Sequence, residues 1–226
     1  SCLLYLSRTM MVVALVLLFS IYNYTKITKK TIQLFVTLCI VVVLFYSYLF
    51  SVKIDRNGTG VESFLYKVKI APEEIFTAKI DRENHKDLWD HWRGYEAKRA
   101  FALMEQHPSS YVFGTGYGSL VNLKFYAPLS GDKKGMKYIS ELHNGYIYLL
   151  YKTGIIGLFI YFFFLYRLYK RAYVTPTFTT VIISAFGIIY VFSTLTITGT
   201  FNARDIMIIL LGSLLYFEPQ NKVINA

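Results

Sequence analysis

Apolar residues dominate five stretches of this chain: Thr9–Tyr24, Ile32–Val52, Leu142–Tyr166, Phe178–Thr198 and Ile206–Phe217. None shows the polar face of a surface helix or the strict alternation of a half-buried strand, so each predicts a helix solvated by lipid. About 20 residues at 1.5 Å each cross a hydrocarbon core. The middle three stretches meet that measure; the first and last need flanking residues to reach across. Residues 53–141 contain no run that could span a bilayer. Within them, "GVESFLYKVKIAPEEIF" and "ENHKDLWDHWRGYEAKRAFALMEQHP" repeat apolar residues at three and four positions. The second predicts an amphipathic helix over about Leu88–Gln106, stopped near Pro108. "PSSYVFGTGYGSLVNLKFYAPLSGDKKG" is turn-rich, with little helical pattern. The expectation is an all-α integral membrane protein, a polytopic helical bundle. Two transmembrane helices occupy residues 1–52, one large and partly helical loop covers 53–141, and three further helices with a cytoplasmic tail fill 142–226.

Composition supports the membrane class. Of 226 residues, 54% are hydrophobic and 17% charged, and mean hydropathy is +0.40. The net charge of +10 would suggest a polyanion partner, but its distribution says otherwise. Lys26, Lys29 and Lys30 lie between the first two apolar runs, and Arg167, Lys170 and Arg171 between the third and fourth. Basic clusters in short loops mark the cytoplasmic side. That places residues 53–141 outside the cytoplasm. This loop carries 14 Lys/Arg against 12 Asp/Glu, so it is no general nucleic-acid surface. Cys2 and Cys39 support neither a disulfide framework nor a metal site. Glu73, Glu74, Asp81 and Glu83 are too dispersed for a cation site, and no cluster has zinc spacing, so no metal or cofactor is expected. The chain opens in mid-architecture, as the C-terminal part of a longer membrane protein would.

The candidate chemistry gathers at the outer ends of the runs. His143 begins the third run beneath the large loop, and an imidazole titrating near neutrality suits proton transfer there. Its neighbour Asn144 would orient a substrate hydroxyl or cap the helix. Arg93 sits among aromatics, where a guanidinium can bind phosphate or carboxylate with two parallel hydrogen bonds. Trp92, with Trp89 and Tyr95, has the spacing of a helix face lying against the membrane surface, and it is also a candidate substrate contact. Lys98 and Arg99 read as the solvated face of the same helix. Arg8 and Arg204 stand at the outer mouths of the first and last runs; Arg8 either holds an anion or snorkels, and Arg204 either holds an anion or pairs with its neighbour Asp205. Gly114, Gly116 and Gly118 in "GTGYGS" lack the lysine of a P-loop; they permit close backbone approach to an anion or sugar, or simply a turn.

"SRT" opening a run, "WR" on a loop helix, "HP…FGTGYGS" and then "ELHNGYIYLLYKTGIIGLFIYFF" together resemble the C-terminal half of the bacterial O-antigen ligase and polysaccharide polymerase superfamily. The likeness covers most of residues 3–217 and is strongest from Arg93 to Gly157. It implies a glycosyltransferase of the bacterial inner membrane that takes its glycan from a polyprenyl-pyrophosphate donor and passes it to a glycan acceptor. By the same resemblance His143 is a base or orienting residue, and Arg93 and Arg8 lie near the donor pyrophosphate. The glycines shape the loop, and an N-terminal transmembrane half outside this sequence contributes to the cavity. Polymerisation of lipid-linked repeat units is the favoured reaction, because the loop lacks a cationic stripe for a phosphorylated core. The alternative is ligation to a lipid A core or protein. A transporter or non-catalytic membrane subunit is the reading from another class; a transporter would show charged residues in mid-span or discontinuous helices.

Overall fold

The computed structural model describes residues 8–55, 58–76, 85–128, 135–174, 177–201 and 205–224. All five apolar runs are helical: α1 (Arg8–Ile21), α2 (Lys29–Ser51), α7 (Gly145–Val174), α8 (Phe178–Thr196) and α9 (Met207–Ile224). Helices α2, α7 and α8 are long and apolar enough to cross a membrane, while α1 and α9 contribute shorter apolar segments. Between α2 and α7 lie α3 (Val61–Phe76), α4 (His85–Asp90), α5 (Trp92–Met104), α6 (Ser110–Phe113) and the strands β1 (Val121–Ala127) and β2 (Met136–Ile139). The chain divides into two compact units: residues 1–72, 165–190 and 206–226, and residues 73–164 and 191–205.

In the first unit, Val16 packs with Ala185 and Ile189, with Val12, Val13, Leu17 and Met207 against them. Gly187 lets α8 approach α7 closely, since a Cβ there would lie 3.0 Å from the Tyr169 nitrogen and 3.1 Å from the Leu165 oxygen. Small residues at membrane helix crossings serve that purpose. The loop before α2 is tied to the far end of α7. Tyr169 Oη donates to the Thr25 carbonyl at 2.9 Å, and the Ile27 N–H donates to Tyr173 Oη at 2.6 Å. The two basic clusters of the sequence therefore lie at one end of this unit, where Arg171 pairs with the buried Glu218. Along α2 only Leu49 is buried, and apolar side chains are exposed all round. Such a surface is stable in lipid and not in water.

The second unit has a core of Leu88, Trp92, Tyr95, Ala100, Met104, Val121, Leu123, Leu142 and Tyr151. The predicted helix over 88–106 is two helices, α4 and α5, interrupted at His91. The turn-rich stretch contains β1, the first strand of a hairpin that was not among the expected elements. Val121, Leu123 and Ala127 face the core, but Lys124 adopts φ 64° and the pairing shifts between Asn122 and Ala127. The period of two survives this irregularity, since Val121, Leu123, Phe125 and Ala127 turn toward the core between the more open Asn122, Lys124 and Tyr126. The Tyr95 hydroxyl donates to the Leu123 carbonyl and Arg99 Nε to the Asn122 carbonyl at 2.8 Å, so α5 fixes β1.

Helix α7 begins three residues later than the predicted run and is not continuous. Gly154 has φ 68° and ψ −169°, a conformation outside the helical region and essentially reserved for glycine. Residues 145–153 pack into the unit's core, where Leu149, Tyr151 and Lys152 are buried. Beyond Gly154 the surface changes to exposed Ile155, Ile156, Phe159, Ile160, Phe162 and Phe163.

Candidate functional site

Glu96 lies on the core face of α5, four residues after Trp92 and four before Ala100, and is only 2% exposed. A buried carboxylate needs partners, and His143 supplies them. The His143 backbone N–H donates to Glu96 Oε2 at 2.9 Å, and His143 Nδ1 lies 3.1 Å from both carboxylate oxygens. The imidazole itself is 54% exposed. With Nδ1–H directed to the carboxylate, Nε2 keeps its lone pair. The hydrogen bond to Glu96 pushes the His143 imidazole above its ordinary value, reinforced by the charges of Glu96 and Glu141 and opposed by burial and by Arg93.

Asn144 follows in the chain and caps α7. Its Oδ1 accepts from the N–H groups of Tyr146 at 3.1 Å and Ile147 at 3.3 Å. This is the capping alternative, and it fixes the direction in which α7 departs from His143. The N–H of Gly145 donates to the Ile197 carbonyl at 2.8 Å, so the free end of α7 is satisfied by the end of α8.

A cavity of about 510 Å³ opens beside this junction. Arg93, Lys98, Glu105 and Asn144 form its polar wall, and Phe101, Ile147 and Leu195 its apolar one. Arg93 is half-buried and brought to the same place as Asn144, next in the chain to His143. Lys98 is exposed, as a solvated face requires, and it also lines this cavity. Arg99 is occupied by β1. Trp92 is not at a surface where it could anchor the unit in a membrane and is not among the residues that line the cavity: it is 3% exposed and packs against Tyr95, Phe125 and Trp89. Aromatic spacing on a helix reports a buried face as readily as an interfacial one, and here the hairpin covers it. Trp89, at 37% exposed, is the aromatic of the three that reaches the surface.

Backbone N–H groups of the glycine loop are engaged within the protein. Gly114 and Gly116 adopt φ 75° and 86°. The Gly114 N–H donates to Ser110, that of Thr115 to the Tyr151 carbonyl at 2.8 Å, and that of Gly116 to the Lys152 carbonyl at 2.9 Å. The break at Gly154 leaves those last carbonyls of the half-helix without helical partners, and the loop's backbone supplies them. A Cβ at Gly114 or Gly154 would collide with the backbone of the facing segment. Lys152 completes the joint by donating to the carbonyls of Tyr117, at 3.0 Å, and Ser119. Gly118 has open space around it.

Glu96 and Lys152 were missed in the sequence. Glu96 carried one signal, a carboxylate at i+4 from a tryptophan on the apolar face; Lys152 carried another, a lone cation within an apolar run. Arg204 and the side chain of Arg8 lie outside the described residues. Among the described residues no group of three or more His, Cys, Asp or Glu could hold a metal ion.

No curated protein sequence and no solved structure matches the chain. Residues 1–162 match the O-antigen ligase family, a stretch that contains Glu96, Arg93, His143, Asn144 and the joint at Gly154 but neither α8 nor α9. With nearly three quarters of its length matched and its apolar helices in place, the chain belongs to the O-antigen ligase family of membrane proteins.

Proposed function

We propose that this protein polymerises lipid-linked oligosaccharide repeat units, transferring glycan from a polyprenyl-pyrophosphate donor to an acceptor sugar hydroxyl at the non-cytoplasmic face of a bacterial inner membrane. The observation that carries this reading is the exposed His143 imidazole, oriented by a buried carboxylate and next in the chain to Asn144, which lines a cavity with two cationic side chains. Family membership supports ligase- or polymerase-type chemistry in general.

The acceptor hydroxyl attacks the anomeric carbon and gives its proton to His143 Nε2. The bond from that carbon to the donor phosphate oxygen breaks, and polyprenyl pyrophosphate leaves. Glu96 holds the imidazole with Nδ1 protonated and offsets the positive charge that His143 acquires, so it is a positioning residue. Arg93 and Lys98 face the charge developing on the leaving pyrophosphate, with Arg8 as a further anion contact by resemblance. Asn144 sets the ring's position through the helix it caps, and the glycines hold the loop.

Discontinuity in α7 is a feature of the transporter reading, but there the freed carbonyls of broken helices coordinate the transported ion. Here the carbonyls of Tyr151 and Lys152 already accept from the glycine loop, which favours a structural joint.

Surface glycan from a strain whose only copy is His143→Ala tests the reaction. Accumulated single repeat units are the expected product. Full-length chains retained on the carrier lipid would replace polymerisation with ligation, and wild-type glycan would overturn the assignment of His143.

A further inference from the structure

We propose that α6 and the glycine loop after it, residues 110–120, sit in the membrane interface, with Val112, Phe113 and Leu120 in contact with lipid. This inference is independent of the glycosyl-transfer reading. It starts from the length of α7. At 1.5 Å per residue, a helix from Ile155 to Tyr173 is about 28 Å long, close to the roughly 30 Å of a hydrocarbon core. The nine residues before Gly154 are packed in the core of their unit, so the lipid-facing part of α7 begins at the break.

Helix α6 lies at that level. A Cβ on Gly154 would meet the Val112 carbonyl and the Gly114 nitrogen, which puts Val112–Gly114 directly against the first residue of the lipid-facing stretch. Side chains around this contact are apolar and open: Val112 is 42% exposed, Phe113 70%, Tyr117 58% and Leu120 51%. On α7 the exposed Ile155, Ile156 and Phe159 follow directly after the Gly154 that touches Val112. Exposed apolar side chains therefore stand on both segments that meet at Gly154, and the bilayer that covers the membrane-crossing helix is the occupant that fits the loop.

Irregular backbone enters a membrane only where its polar groups are satisfied within the protein. The N–H groups of Gly114, Thr115, Gly116 and Ser119 all donate to protein carbonyls. Lys152, which is bonded to this loop, is 2% exposed and donates to the Tyr117 and Ser119 carbonyls, so its charge is turned away from lipid. Gln106, His107 and Ser109, on the other side of α6, are polar and exposed, which limits the depth to the interface. Tyr117 has the amphipathic ring that such a position favours.

The test uses the full-length protein in liposomes, with Cys2 and Cys39 replaced by Ser. Single cysteines are placed at Phe113→Cys, Leu120→Cys and, as a control, Gln106→Cys, and each is labelled with an environment-sensitive fluorophore. All three side chains are exposed, so the labels leave the core undisturbed. The expected result is blue-shifted emission at 113 and 120, quenched by shallow spin-labelled lipid and protected from aqueous iodide, with the reverse at 106. Iodide quenching at 113 and 120 equal to that at 106 would overturn the proposal. So would protection from both quenchers, because protein rather than lipid would then cover the patch.

Discussion

Glu96→Gln separates a positioning role from a structural one. The carboxylate has two oxygens, and both lie 3.1 Å from His143 Nδ1 while one also accepts from the His143 backbone N–H. Glutamine keeps the volume but offers one oxygen and one NH₂ group. If the oxygen stays with the backbone, the NH₂ faces Nδ1 and favours the tautomer protonated at Nε2, the wrong one for a base. A hydrogen bond to a charged group contributes about 1.5–3 kcal/mol, or roughly 10- to 150-fold in rate if it acts wholly in the transition state. The imidazole is 54% exposed, so water screens part of this and a loss of about 10-fold is expected. The pH profile carries the discriminating information. Glu96 raises the His143 pKa, and a base acts when deprotonated, so wild-type activity rises with pH through a value above 6.5. Without the carboxylate, Arg93 and burial remain to lower it, and the acid limb moves to lower pH. The same raised pKa means that this pair stabilises the fold fully below pH 6.5, an effect lost as pH rises through the folded value. Transfer from a polyprenyl-pyrophosphate oligosaccharide by purified enzyme, followed by gel resolution of products from pH 5 to 9, measures both effects. A reduced rate with an unmoved acid limb would refute the reasoning, as would wild-type rate and profile together.

Arg93→Lys keeps the charge on the cavity wall and loses the planar fork; a drop of about 10-fold in transfer is expected, with a larger one for Arg93→Ala. Equal activity of Arg93→Lys and wild type in the same gel assay would show that only the charge matters. Gly154→Ala places a Cβ in a glycine-only conformation and against the Val112 carbonyl, at a cost of about 1–3 kcal/mol. Its thermal unfolding midpoint in detergent should fall well below that of Gly118→Ala, where a Cβ meets nothing within 4 Å.

The apolar helices were legible because lipid solvation leaves an unmistakable record: long runs without a polar face. Arg93 and His143 were legible because each breaks its surroundings, a guanidinium among aromatics and an imidazole at the mouth of a run. What failed were inferences about which side of a helix is covered. Trp92 was assigned from the periodicity of α5 alone, but the face that is buried depends on where β1 packs, and the alternation in "VNLKFYA" was passed over among the turn residues around it. Glu96 was obscured for the same reason. It is one more charge in "RGYEAKR" until the hairpin and His143 enclose it. The break in α7 was hidden in an ordinary-looking glycine, since "YKTGIIG" does not say which glycine leaves the helix.

That break changes what the third apolar run is. Residues 145–153 form a short helix held at both ends by glycine contacts. At Gly145 a Cβ would lie 2.8 Å from Thr194 Cγ2, so the helix start is seated against the end of α8; at Gly154 the helix stops against α6. Between these ends Tyr151 is buried in the core and Lys152 ties down the glycine loop. Asn144 caps the same helix, and His143 precedes it with both its backbone and its ring bound to Glu96. An exposed imidazole on a free loop would sample many orientations, whereas reaction geometry tolerates errors of only about 0.5 Å. The half-helix supplies that constraint while leaving Nε2 open. A continuous helix through Gly154 would lack the turn against which α6 and the glycine loop pack, and with it the support beneath His143.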